Sequence, residues 1–267
     1  MLGLGNSIGG YISGYSDPSS FSDLLLWLGF NQGMSSSPTG NSTAAGNMAH
    51  DDQVSQWDDL SGQGNHAVQV TPASDMPKWS TANSGADIGG LNFANSVKWF
   101  DLTETIELTG DFTIMMRFRL VNVGAANRTF VGDSTDDWFQ IVRDNKDSFK
   151  LKINGTVYEW EDTSATDIEV GDPDYRQIIT ITRSSGALSL HVNGGTSAGG
   201  WNNQQDDVDW DSAETHSTTD TFTITNIGAA ADDAFEFNGF IYDTLVYATV
   251  LSEVDRKLNY DYLNAQT

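Results

Sequence analysis

Apolar and polar residues alternate along much of this chain. Phe149, Leu151 and Ile153 alternate with Lys150 and Lys152, the period of a strand with one buried face. Asn154-Gly155 follows, and Thr156–Trp160 runs back. Asn-Gly suits a type I′ turn, whose two central residues both need positive φ, so a hairpin is predicted. Gln177–Arg183 and Ala187–Val192 flank Ser184-Ser185-Gly186 as a second hairpin, which Asn193-Gly194-Gly195 ends. Asp137–Asn193 therefore reads as one antiparallel β meander. Upstream, Phe112, Ile114, Met116, Phe118 and Leu120 make a nine-residue strand with one buried face, while Arg117 and Arg119 point the other way. Asp23–Phe30 reads as the first strand of the body, and residues 31–50 as a loop without period.

The period changes near the C-terminus. Ser252 is a good N-cap, and Glu253 and Asp255 sit in the first turn, where the helix dipole favours acids. Val254, Leu258 and Tyr262 recur at i, i+4 and i+8, so a short helix over 252–264 is predicted to pack by that face. Residues 1–23 differ from the rest. They alternate glycine with single apolar residues and form no core of their own, so they read as an extended docking arm ahead of one domain over 24–267. Leu2, Leu4, Ile8, Tyr11 and Ile12 are its candidate assembly contacts, on other proteins or on a second copy of the chain.

Composition narrows the function classes. Thirty-seven acidic residues against 13 basic give a net charge of −24, a field that repels nucleic acid and anionic membranes. Asp outnumbers Glu by 29 to 8, which fits a loop-rich β protein because Asp favours turns and caps. No cysteine is present, so disulfides, thiolate metal sites and cysteine nucleophiles are excluded. The longest apolar run is Leu24–Leu28, too short to span a bilayer, and the N-terminus carries no basic region or sustained apolar stretch of a secretory signal.

Several motifs in order resemble concanavalin A-like (laminin-G-like) jelly-roll domains. Trp57-Asp58-Asp59-Leu60-Ser61-Gly62-Gln63-Gly64-Asn65-His66-Ala67 keeps the spacing of a run frequent at their start. In it Trp57 is expected to anchor a strand, Asp58 to bond backbone N–H groups of the turn, and Gly62 and Gly64 to supply positive φ. Gly239-Phe-Ile-Tyr-Asp243-Thr-Leu245-Val-Tyr247, then Leu251-Ser252 and the short helix, resembles their end, so the likeness covers about residues 24–264. It implies an all-β antiparallel jelly-roll sandwich with one short C-terminal helix and the N-terminal arm. Leu2-Gly-Leu4-Gly-Asn-Ser-Ile8 is similar to the start of structural proteins of tailed bacteriophages. That resemblance implies a non-enzymatic virion protein, located on the particle as a capsid decoration or in a fibre, with other virion proteins and further copies of itself as partners.

A glycan-binding module is the alternative, and a glycoside hydrolase the remote one. The irregular segment 194–219 holds Trp201, Asn202, Asn203 and Trp210; indoles stack on sugar C–H groups while amides bond hydroxyls, so these are the candidate contacts to cell-surface glycans. Asp207, Asp209 and Asp211 are candidate Ca2+ ligands, although Ser212 stands where an EF-hand loop needs glycine; Asp133, Asp136, Asp137, Asp232 and Asp233 are other possible donors. No other cofactor is implied. For hydrolysis, Glu159-Trp-Glu161 and Asp167-Ile-Glu169 with Asp172 are the nearest paired carboxylates, and the latter sit in a loop. Gly5-Asn-Ser7-Ile-Gly9 matches G-x-S-x-G without the strand and helix that motif needs. Of the four histidines, His191 is expected at the surface with Ser189.

Overall fold

The computed structural model describes residues 16–36, 48–69, 73–81, 89–93, 98–121, 126–133, 136–143, 147–161, 177–192, 216–230 and 236–266. Seventeen strands lie among them: β1 (Leu24–Leu28), β2 (Met34–Ser35), β3 (Gln56–Trp57), β4 (Ala67–Val68), β5 (Lys78–Ser80), β6 (Gly90–Asn92), β7 (Phe100–Leu108), β8 (Phe112–Leu120), β9 (Ala126–Gly132), β10 (Trp138–Arg143), β11 (Asp147–Ile153), β12 (Thr156–Glu161), β13 (Gln177–Ser184), β14 (Ala187–Val192), β15 (His216–Ser217), β16 (Phe222–Ile227) and β17 (Gly239–Tyr247). Helix α1 (Glu253–Ala265) follows.

All pairings between these strands are antiparallel, and they form two sheets. One runs β15-β14-β13-β8-β17-β6-β5, with β1 added beside β6 along β17; the other runs β12-β11-β10-β9-β16-β7-β4-β3-β2. Their facing surfaces make the main core, centred on Phe93, Phe118, Phe130, Phe139, Phe149 and Phe237. Phe118 and Phe130 meet edge-on across the sheets with ring centroids 4.7 Å apart. Each such ring contributes roughly 1.5–3 kcal/mol through burial alone. Gly228 is required here: its φ is +86°, and a Cβ would lie 2.6 Å from the Phe93 ring.

The first hairpin forms as its chemistry requires. Asn154 and Gly155 take φ of 48° and 81°, and Lys152 pairs with Val157 beside them. In the second, Ser184 still pairs with Ala187, so the turn is the two residues Ser185 and Gly186 rather than three. The meander is not one ladder, however. β10, β11 and β12 belong to one sheet and β13 and β14 to the other. Local alternation carries no signal for that crossing, because strands of both sheets alternate alike.

Strand β8 differs from expectation in a second way. Arg117 is buried like its apolar neighbours, because α1 covers the outer face of this sheet. Met115, Ile178, Leu245 and Tyr247 form a second cluster there with Leu251, Tyr260 and Leu263. Helix α1 thus packs by Asn259, Tyr260 and Leu263, whereas Val254 is 68% exposed. Three apolar residues at i, i+4 and i+8 lose to the contacts on offer: the Tyr247 hydroxyl lies 3.0 Å from Asn259 Oδ1, and Leu263 enters the cluster. Of the predicted face, Tyr262 alone packs partly against it, edge-on to Trp27 at 6.1 Å.

Arg117 ties the layers together. Its Nε donates to Asp243 Oδ2 at 2.8 Å, and Nη1 donates to the carbonyls of Leu263 at 2.7 Å and Gln266 at 2.8 Å. Asp243 Oδ1 accepts from Phe30 N at 2.8 Å. One buried ion pair thereby joins β8, β17, the chain after β1 and the C-terminal end of α1. Arg183 does similar work at the opposite end of its sheet, where its guanidinium donates to the carbonyls of Leu108, Gly110 and Asp220.

Candidate functional site

Alternation places Phe139, Ile141, Phe149, Leu151 and Trp160 in the core. Trp138, Gln140, Lys150, Lys152, Val157 and Glu159 therefore stand on the outward face of the nine-stranded sheet. Register then lines them up. Glu159 pairs with Lys150, Lys150 with Gln140, and Gln140 with Thr129. One step along the strands, Val157 pairs with Lys152, Lys152 with Trp138, Trp138 with Gly132, Gly132 with Asn226, and Asn226 with Asp101. The second row crosses β12 to β7, five inter-strand gaps or about 24 Å.

Side-chain bonds follow these rows. Lys150 Nζ lies 2.8 Å from Glu159 Oε1, and Lys152 Nζ lies 3.7 Å from Asp136 Oδ1 and 5.9 Å from the centre of the Trp138 ring. Gln140 Nε2 donates to Thr129 Oγ1 at 2.9 Å, and Asn226 Nδ2 to Asp101 Oδ1 at 2.7 Å. Trp99 Nε1 donates to the same Asp101 oxygen at 3.1 Å. The face combines two partly exposed ammonium groups, carboxylates, amides, a hydroxyl and an indole. Gln140, Thr129, Asn226 and Trp138 are buried on this face, so the groups it offers to solvent near β11 and β12 are the half-buried Lys150, Lys152 and Glu159 beside the exposed Val157, with Glu159 paired to Lys150.

The edge beside this face is closed by His216. Its ring nitrogen lies 2.7 Å from the carbonyl of Glu159, and its ring meets Trp160 at 4.9 Å and Tyr158 at 5.7 Å. Leu188 pairs with His216, so this contact bridges β12 of one sheet to β15 of the other. His191, expected at the surface, is half-buried on β14.

The predicted glycan residues Trp201, Asn202, Asn203 and Trp210, the Ca2+ candidates Asp207, Asp209 and Asp211, and the assembly contacts Leu2, Leu4, Ile8, Tyr11 and Ile12 all lie outside the described residues, as do Asp167, Glu169, Asp172, Asp232 and Asp233. The segment bearing Trp201 and Trp210 starts after Val192 and returns at His216, beside the edge just described. Among the described residues no three His, Asp or Glu side chains come together as a metal site. Asp137, one of the other candidate donors, has its carboxylate on backbone N–H groups: Asn154 N at 2.6 Å and Thr223 N at 3.1 Å.

In the Trp57 turn the expected role passes from Asp58 to Asp59. Asp59 accepts from the backbone N–H of Trp27, Ser61 and Asn65 and from the Ser61 hydroxyl at 2.7–3.0 Å, while Asp58 takes a side-chain bond from Gln56. Asp59 is buried in the turn and its neighbour is not, a difference set by the β3 register rather than by residue type. Sequence reasoning also missed the outward rows. The alternation marked Lys150 and Lys152 as facing away from the core, but the partners Gln140, Trp138 and Asn226 come from strand register.

No protein-family model and no curated protein matches the chain. Solved structures do match its fold. Domain 4 of AbnA, a GH43 extracellular arabinanase from Geobacillus stearothermophilus, solved in complex with arabinotriose, superposes with a TM-score of 0.55 at 13% identity, covering 88% of this chain and 98% of that domain. The binding domain of Paraclostridial Mosquitocidal Protein 1 gives 0.51 at 14% identity over 92% of this chain, which spans about half (53%) of that domain. At these identities the likeness establishes a shared two-sheet, antiparallel β-sandwich, in keeping with the jelly-roll expectation. Both neighbours are all-β, one of them a binding domain and the other solved with a trisaccharide. Among the described residues no helix is long and apolar enough to cross a membrane.

Proposed function

We propose that this chain is a non-catalytic glycan-binding β-sandwich whose ligand lies along the outward face of the nine-stranded sheet. The observation that carries this is the solvent-accessible cluster of Lys150, Lys152, Glu159 and Val157 at the β11–β12 end of the registered rows. The Lys150 and Lys152 ammonium groups and the Glu159 carboxylate would supply the hydrogen bonds that orient a sugar, and exposed Val157 the apolar surface beside them. The segment with Trp201, Asn202, Asn203 and Trp210 leaves the sandwich at the neighbouring edge, and in this proposal it adds stacking contacts; Ca2+ at Asp207, Asp209 and Asp211 would act by ordering it. The arabinotriose complex of the arabinanase domain makes arabinan oligosaccharides the first ligands to try.

A glycan array probed with the full chain, with Ca2+ and again with chelator, tests the proposal. Hits should weaken at least tenfold with Lys150→Met or Glu159→Gln, and Trp201→Ala with Trp210→Ala should weaken them further. Binding unaffected by the Lys150 and Glu159 changes would remove the sheet face from the site. No binding under either condition would end the glycan proposal.

The Leu2–Ile8 run supports a second proposal, that the module is carried on a phage particle as a decoration or fibre protein through residues 1–23. A chain lacking residues 1–20 should then fold and fail to incorporate into particles; normal incorporation would refute it.

A further inference from the structure

Val254 and Val157 are the large apolar side chains left exposed among the described residues. Val254 does not stand alone. With Leu258 it lines a shallow, open groove of about 300 Å3 on the outer face of α1, bordered by Glu253, Lys257 and Asp261. Helix α1 already satisfies its packing through Asn259, Tyr260 and Leu263, so this second apolar stripe contributes nothing to the sandwich. Its charges are also nearly balanced, because Lys257 Nζ lies 2.7 Å from Asp261 Oδ2. A groove of low charge is unusual on a chain whose net charge is −24.

One segment of the same chain matches it. Residues 1–16 contain no Asp, Glu, Lys or Arg, and they carry Leu2, Leu4, Ile8, Tyr11 and Ile12 at spacings broken by glycine. Such a segment can enter a groove on another strongly acidic copy without charge repulsion, which the bodies themselves cannot do. Where it leaves the body is also known. Asp17 accepts from Ser19 N at 2.8 Å and caps the short 3-10 turn Pro18–Ser20. Tyr247 holds that turn next to α1, since its hydroxyl lies 3.4 Å from the Pro18 carbonyl and 3.0 Å from Asn259 Oδ1. Asn259 is on the face of α1 turned toward the sheet, and the groove is on the face turned away.

We propose that the α1 groove receives residues 2–12 of a second copy of this chain. With residues 2–12 in the groove, residues 13–16 reach roughly 13 Å when extended, so the two bodies meet closely beside this helix. Exit point and groove sit at the same helix, so two copies facing each other across a two-fold axis exchange arms reciprocally, the self-complementary arrangement such an axis demands. Leu and Ile side chains fill the space over Val254 and Leu258, and glycines let the backbone approach the helix.

The cysteine-free sequence provides the test. Chains carrying Ile8→Cys and chains carrying Leu258→Cys are mixed and mildly oxidised, with Thr156→Cys in place of Leu258→Cys as the control. The expected product is a disulfide-linked heterodimer with Leu258→Cys, at least tenfold in excess over the control. Sedimentation of the native chain should show a concentration-dependent dimer that Val254→Asp weakens tenfold or more. Val254 is exposed, so that change leaves the body folded, which circular dichroism verifies. A native chain that stays monomeric at all concentrations overturns the proposal. So does a dimer indifferent to Val254→Asp, or, in a chain given both Ile8→Cys and Leu258→Cys as a further sample, a bond that forms within that chain while the mixed single-cysteine chains stay unlinked, which would assign the groove to the chain's own arm.

Discussion

Replacing Arg117 by methionine isolates the physics that joins α1 to the sandwich. Methionine keeps much of the apolar stem of arginine but leaves Asp243, 1% exposed, without its counter-charge. Removing one partner of a buried pair costs about 3–5 kcal/mol, chiefly because the remaining charge is stranded. The carbonyls of Leu263 and Gln266 also lose their donor, and the guanidinium leaves the faces of Phe30 and Tyr242, 4.9 and 5.2 Å away. We expect a loss near the upper end of that range in urea unfolding followed by tryptophan fluorescence. Hydrogen exchange should show α1 opening first.

The pH dependence separates a stranded charge from lost packing. Burial already pushes the Asp243 carboxyl up, and Arg117 and the Phe30 N–H hold it down. Without Arg117 it rises further above the unfolded value near 3.9. A raised folded value means that the folded variant binds a proton the unfolded chain does not. The penalty is therefore full above the folded value and is relieved as pH falls toward about 4. Arg117→Met together with Asp243→Leu removes both charges and should recover about 2 kcal/mol or more of the single-variant loss, the remainder reflecting Phe30 N without an acceptor. A single-variant cost under about 1 kcal/mol, or one that stays constant between pH 7 and pH 4, would refute the reasoning.

Two further outcomes follow from the packing. Asp59→Asn turns a donor toward N–H groups that need an acceptor, and should cost about 2–4 kcal/mol in the same unfolding assay; a change within 0.5 kcal/mol, about the spread of ordinary surface substitutions, would show that the Trp57 turn is held by other means. Burial pushes the Tyr262 phenol up to about 12, with Asp17 adding to it. The folded chain thus keeps a proton that the unfolded one releases near pH 10, so stability is full below about pH 10 and falls as pH rises toward 12. Thermal unfolding at pH 9 and pH 11 reads this, and Tyr262→Phe should shrink the difference; an unchanged difference would place the effect elsewhere.

Much was legible in the sequence where one strand or one turn decides the outcome. Alternation in Phe149–Ile153 and Phe112–Leu120 marks strands because a pleated backbone turns successive side chains to opposite faces. Asn154-Gly155 marks its turn because few other residues accept positive φ twice, and Ser252 marks the start of α1 because its oxygen meets the N–H of Asp255. The absence of cysteine and the charge of −24 bounded the chemistry without any fold.

Tertiary structure decided whatever depends on residues far apart in the chain. Which sheet takes β13, which face of α1 is buried and whether Arg117 meets water depend on what packs opposite. Asp243 lies 126 positions from Arg117, and no local pattern joins them. The face that bears the candidate site has the same character: Lys152, Trp138, Asn226 and Asp101 form one row only because five strands fall into register. Period fixes the face of a residue; pairing fixes its neighbours, and here the neighbours make the site.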